Sequence, residues 1–178
     1  MAKMGTEKNH ADYTCFETTS KESTLREVID SYDALSSELR NWVANLANAS
    51  SLLWHAYHQH GIPVNWAGFY VLDPKVREQL ILGPFQGKVA CQTIKFGKGV
   101  CGTAADSQKP QLVPDVEAFP GHIACDGETK SEIVIPILVD GHTVGVLDID
   151  CLKSEGFDMQ DVTMLEELAQ HLSSSNDW

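Results

Sequence analysis

The chain has 178 residues, 43% of them apolar and 21% charged, which suits one globular domain large enough to bury a core without disulfide or metal support. Its 25 acidic against 13 basic residues leave a net charge of −12, and the basic residues form no patch, so nucleic acid and anionic lipid surfaces are excluded as partners. No apolar run is long enough to span a membrane, and Met1 to Ser20 has neither the apolar stretch of a secretory signal nor the arginine-rich, acid-poor character of an import presequence, so the expected location is the cytoplasm.

Residues 1–20 are polar and aperiodic and read as a flexible tail; residues 21–178 read as a single domain without repeats or a linker. Leu25, Val28, Ile29 and Tyr32 recur at helical steps, with Ser23 or Thr24 as cap, and predict a helix ending near Leu35. A second helix is expected from about Asn41 to His60, presenting Val43, Leu46, Ala47, Ser50, Leu53, Trp54 and Tyr57 on one side and stopped by Gly61-Ile-Pro63. Its histidines, His55, His58 and His60, lack a matched carboxylate and read as solvated side chains rather than metal ligands.

Trp66 to Leu72, Gln79 to Leu82 and Ala90 to Ile94 predict three strands of an antiparallel meander, punctuated by Asp73-Pro74 and Gly83-Pro84. A short helix then begins around Gly97-Lys-Gly-Val-Cys101 and places Cys101 in its first turn, where the helix dipole favours a thiolate. Asp106 to Thr129, rich in proline and glycine, predicts a long functional loop carrying Cys125, interrupted only by a brief strand at Leu112-Val113. Glu132 to Leu138 and Thr143 to Asp150 form the strongest hairpin, and Asp158 caps a last helix with an apolar stripe of Val162, Leu165, Leu168, Ala169 and Leu172. The predicted elements thus mix helices with antiparallel strands.

Three of the five cysteines, Cys91, Cys101 and Cys125, lie between Gly87 and Asp126. In a reducing compartment such clustering signals redox chemistry or metal binding rather than structural disulfides. Asp148 and Asp150, two apart on a strand, share one sheet face, and Glu132 on the partner strand joins them only in the right register. A two-residue Asp140-Gly141 turn puts Glu132 opposite Ile149, on the wrong face. A three-residue Val139-Asp140-Gly141 turn pairs it with Asp148. The second geometry predicts an acidic cluster in which at least one carboxyl keeps its proton at neutral pH. The competing reading neutralises the acids with Lys88, Lys95 or Lys130. Cys151 points to the opposite face and reads as a buried spectator.

Asn65-Trp-Ala-Gly-Phe-Tyr70, Leu82-Gly-Pro-Phe-Gln-Gly-Lys-Val-Ala-Cys91, Gly97-Lys-Gly-Val-Cys-Gly-Thr-Ala104, Gly121-His-Ile-Ala-Cys-Asp126, Lys130-Ser-Glu-Ile-Val134 and Leu147-Asp-Ile-Asp150 together resemble the free methionine-R-sulfoxide reductases, which are GAF-domain enzymes. The resemblance runs from about Asn41 to Leu172 and implies an α+β fold, a layered GAF-like domain with a central antiparallel sheet of about five to six strands and helices packed against it. It implies a thiol-dependent reductase that converts free L-methionine (R)-S-oxide to L-methionine without a cofactor or a metal, through a cysteine sulfenic acid and an intramolecular disulfide recycled by thioredoxin. By resemblance, Cys125 is the attacking thiol and Cys91 the resolving one, with Cys101 the rival for either role. Glu132, Asp148 and Asp150 become the acids around the sulfoxide oxygen and the substrate ammonium. Trp66 and Tyr70 become an aromatic wall for the S-methyl group, and the backbone amides of Cys101 to Ala104 a cradle for the carboxylate. The reading allows a homodimer.

Two other readings carry different expectations. A zinc site built from Cys91, Cys101, His122 and Cys125 requires stoichiometric metal, though the spacing lacks the paired Cys hairpins of structural zinc modules. A non-catalytic GAF module that binds a small ligand requires no thiol loss on exposure to methionine sulfoxide.

Overall fold

A computed structural model describes residues 14–121 and 127–178. The expected tail lies mostly outside these residues, but its described end is docked: Phe16 is buried in the main core and Thr18 Oγ1 lies 2.6 Å from Thr24 Oγ1.

Helix α1 (Lys21–Ser36) starts earlier than the apolar pattern predicts, because Ser20, and not Ser23 or Thr24, accepts from the Ser23 amide as N-cap. Helix α2 (Trp42–Gln59) is capped by Asn41. It buries Leu46, Ala49, Leu53 and Tyr57, while Val43 and Ala47, expected on the packed side, face solvent. The packed stripe is thus rotated by about one residue from the expected one, toward Leu52 and Ala56.

The sheet contains β1 (Val64–Leu72), β2 (Gln79–Gly87), β3 (Thr93–Lys95), β4 (Gln111–Val113), β5 (Ser131–Val139) and β6 (His142–Cys151), in the spatial order β3-β2-β1-β6-β5-β4, every neighbour antiparallel. Strand β2 continues to Gly87, through the Gly83-Pro84 expected to end it. A register shift opposite Gly68 and Tyr70 absorbs the proline, and this half of β2 has no partner on its other side. Strand β3 begins at Thr93, not Ala90.

Helix α3 (Gly99–Ser107) forms where a short helix is expected and runs to Ser107, just inside the stretch expected to be loop, which also holds a 3-10 turn at Val116–Ala118; Cys125 lies outside the described residues. Helix α4 (Met159–Ser175) starts at the expected Asp158 cap, which forms a capping box with Asp161. No helix among the described residues is long and apolar enough to cross a membrane.

The strand period of two sorts each central strand between two layers. Ala67, Phe69 and Val71 of β1, Ile133, Ile135 and Ile137 of β5, and Leu147, Ile149 and Cys151 of β6 join helices α1, α2 and α4 in the larger core. Trp66 and Tyr70, Val134, and Val146 face the other way, toward α3, in a smaller cluster that includes Cys101. Cys151 is a buried thiol on the face away from the aspartates, as expected. The acidic residues of β5 and β6, Glu132, Asp148 and Asp150, fall on the α3 face, and the candidate site forms there.

Candidate active site

The turn between β5 and β6 has only two residues. Asp140 and Gly141 both adopt positive φ, 50° and 76°, and Val139 pairs with His142, so the expected three-residue loop is not formed. Carried straight down the hairpin, that turn would put Glu132 opposite Ile149. A bulge prevents it: Leu138 pairs with Thr143 but Ile137 pairs with Gly145, leaving Val144 as an extra residue on β6. The register moves by one, and Glu132 pairs with Asp150, not with Asp148 as expected, while Asp148 stands opposite Val134. The three carboxylates share a face all the same.

They line one cleft together with Trp66, Tyr70 and Cys101. Glu132, Asp148 and Cys101 are 6%, 5% and 4% exposed, which decides their chemistry. Burial, followed by the Asp148 and Asp150 charges, holds the Glu132 carboxyl well above its usual range. Burial also pushes Asp148 up to about 7, against hydrogen bonds with Cys101 and Glu132 that pull it down. The pair therefore keeps a proton at neutral pH. Of the lysines expected to quench it, Lys88 lines the cleft but pairs with Glu128, Lys130 pairs with Glu117 at 2.9 Å, and Lys95 is exposed on β3.

Cys101 is the third residue of α3, in the expected first turn, but the dipole does not prevail. Burial, then the charges of Asp148 and Glu132, raise its thiol well above the ordinary cysteine value, and Sγ lies 4.0 Å from Glu132 Oε1. Cys101 is a protonated thiol in an acidic pocket. Cys91 is half-buried at the margin of the same cluster and is disulfide-bonded, whereas Cys15, Cys101 and Cys151 are free. A Cys91 thiolate is then unavailable to the expected zinc set, whose His122 and Cys125 lie outside the described residues. Among the described residues the one group able to gather round a cation is Cys101, Glu132 and Asp148, with ligand atoms within 4.8 Å of one another.

The aromatic wall is built by stacking. Trp66 stacks on Tyr70, centroids 5.7 Å apart, and on Phe85, 5.2 Å apart. Gly68, between Trp66 and Tyr70 on β1, makes room for this: a Cβ there would lie 2.3 Å from Phe85 Cβ. Of the amides expected to form a cradle, that of Gly102 bonds to the Lys98 carbonyl, and at the helix start Lys98, Gly99, Val100 and Cys101 line the cleft. Sequence reasoning passed over Lys98 and Thr129; their nearness to the Cys101 and Glu132 motifs was the available signal.

Residues 56–175 match the family model of the GAF domain. A free methionine-R-sulfoxide reductase of Saccharomyces cerevisiae is 57% identical over 94% of this chain and 94% of its own length. The chain belongs to the GAF-domain family of free methionine-R-sulfoxide reductases. A second member of the family, from Escherichia coli, is 43% identical over 79% of this chain and 81% of its own. The X-ray structure of the Neisseria meningitidis enzyme in complex with its substrate superimposes with a TM-score of 0.84 at 40% identity, covering 90% of this chain and 92% of that one. The family relationship, the six-stranded antiparallel sheet and the sequence motifs thus agree.

Proposed function

We propose that this chain reduces free L-methionine (R)-S-oxide to L-methionine with a cysteine thiol as the electron source. The observation that carries the reading is the buried Glu132–Asp148 pair, which holds a proton at neutral pH in a cleft walled by aromatic rings and thiol. A sulfoxide oxygen is a poor leaving group until protonated, and a protonated carboxyl in a dry cleft is suited to supply that proton.

In the proposed reaction the Cys125 thiolate attacks the sulfoxide sulfur while the Glu132–Asp148 pair protonates the oxygen. The oxygen passes to the cysteine as the hydroxyl of a sulfenic acid, the substrate sulfur gains two electrons, the cysteine sulfur loses two, and methionine departs. Cys91 then displaces that hydroxyl as water and forms a disulfide, which a dithiol of the thioredoxin class reduces. The disulfide at Cys91, against three free thiols elsewhere, supports Cys91 as one half of the exchanging pair. The acidic face also suits the ammonium of a free amino acid. Among the described residues Asp148 Oδ1 is buried without a hydrogen-bond partner, which supports a role as acceptor for that ammonium.

The test incubates reduced protein, without added reductant, with separated R and S epimers of free methionine sulfoxide. The expected result is one methionine released and two thiols lost per chain with the R epimer, and neither with the S epimer. Binding without thiol loss would instead establish a ligand-holding GAF module.

A further inference from the structure

Trp66 Nε1 is closed off from solvent and donates to no acceptor among the described residues, although its ring lines the cleft. An indole N–H can only donate, and leaving a buried donor unpaired costs about 1–3 kcal/mol, so folded proteins rarely retain one without a use for it. Trp178 shows the ordinary outcome in the same molecule, its Nε1 donating to the Ser173 carbonyl at 3.3 Å. Trp66 has no freedom to find a similar partner: Tyr70 and Phe85 stack on its ring, and the glycine at position 68 lets Phe85 approach that closely. The donor is held in a fixed orientation on the strand position paired with Asp150.

Charge decides what the donor receives. Trp66 pairs with Asp150 across the sheet, and Glu132 and Asp148 line the same cleft, so an anionic acceptor such as the carboxylate of an amino acid is disfavoured beside this donor and better served by Lys88 and Lys98, which also line the cleft. A sulfoxide oxygen accepts strongly yet brings no net charge. We infer that the Trp66 N–H donates a hydrogen bond to the sulfoxide oxygen, so that Trp66 and the Glu132–Asp148 pair grip one oxygen from two sides and the indole distinguishes the sulfoxide from the thioether product. The inference rests on the sulfoxide reading of the site. Methionine offers only a thioether sulfur, a weak acceptor, so the bond is lost once the oxygen has gone and the product is released more readily. The S epimer exchanges the positions of oxygen and methyl around the sulfur and would present the wrong group to the N–H.

The indole proton itself reports the bond. In a 15N-labelled Cys125→Ser variant with excess sulfoxide and no reductant, the Trp66 indole resonance, assigned by its disappearance in Trp66→Phe, moves downfield with free methionine (R)-S-oxide and stays in place with methionine. Sulfoxide-dependent movement of other cleft resonances with a stationary Trp66 indole would overturn the inference and leave the reductase reading intact. Absence of any movement, together with no methionine release by the unmodified protein, would remove both. Trp66→Phe is also expected to reduce the preference for binding sulfoxide over methionine about tenfold, the worth of one ordinary hydrogen bond. An unchanged preference in a folded variant would overturn the inference independently.

Discussion

Glu132 stands directly opposite Asp150 across the β5–β6 pair, and one unpaired residue, Val144, makes that so. The pairing draws three acids onto the α3 face, where burial rather than counter-charge controls two of them, Glu132 and Asp148. Their protonation links folding stability to the proposed chemistry.

Glu132→Gln removes the acid while keeping a donor for Asp148. Methionine release in a single turnover is expected to fall at least about 100-fold, the lower range of general acid contributions. A variant that still releases methionine at the native rate would place the acid elsewhere.

The same variant tests the linkage to pH. Both carboxyls have folded pKa values above their unfolded ones, so the folded protein binds more protons than the unfolded chain. Stability is then full below about pH 4 for this pair and is lost as pH rises through about 7. Glu132→Gln should flatten that decline and gain at least about 1 kcal/mol at pH 8 relative to pH 5.5, read by denaturant unfolding at the two pH values. Parallel pH dependence in both proteins would show that the pair is ionised in the fold.

Three cysteine variants separate the thiols. Cys125→Ser should release no methionine; Cys91→Ser should release one and leave a sulfenic acid that dimedone traps. Cys101→Ser should still release methionine and form a disulfide, because its thiol is buried and protonated. Loss of release in Cys101→Ser with retention in Cys125→Ser would reverse the assignment.

Gly68→Ala should destabilise the protein by roughly 2 kcal/mol or more, since its Cβ would meet Phe85 Cβ at 2.3 Å and displace the ring stacked on Trp66. Thermal unfolding measures the loss, and altered Trp fluorescence or near-UV dichroism should accompany it.

Asp161→Ala should cost about 2–4 kcal/mol without changing the site. Asp161 is fully buried at the start of α4, 3.0 Å from Tyr57 OH and 2.7 Å from Lys21 Nζ, and its removal strands the Tyr57 hydroxyl, breaks the capping box and leaves Lys21 with Asp158 alone. The expected readout is a lower unfolding midpoint with unchanged single-turnover release at low temperature.

The sequence by itself determined the layered α+β fold, the helix positions to within a few residues, the face of β6 that carries Asp148 and Asp150, and the participation of Trp66, Tyr70, Cys101, Glu132, Asp148 and Asp150 in one cleft. Those follow from short-range rules, alternation along strands, recurrence along helices and caps at their ends, and from motifs that the family shares. Only the tertiary structure decided the register of Glu132, the protonated state of Cys101 and the enclosed Trp66 donor. A turn sequence specifies the first pairs of a hairpin but not a bulge three residues farther on, and a helix dipole read along the chain cannot include the burial and carboxylate charges that opposing strands bring to the same sulfur.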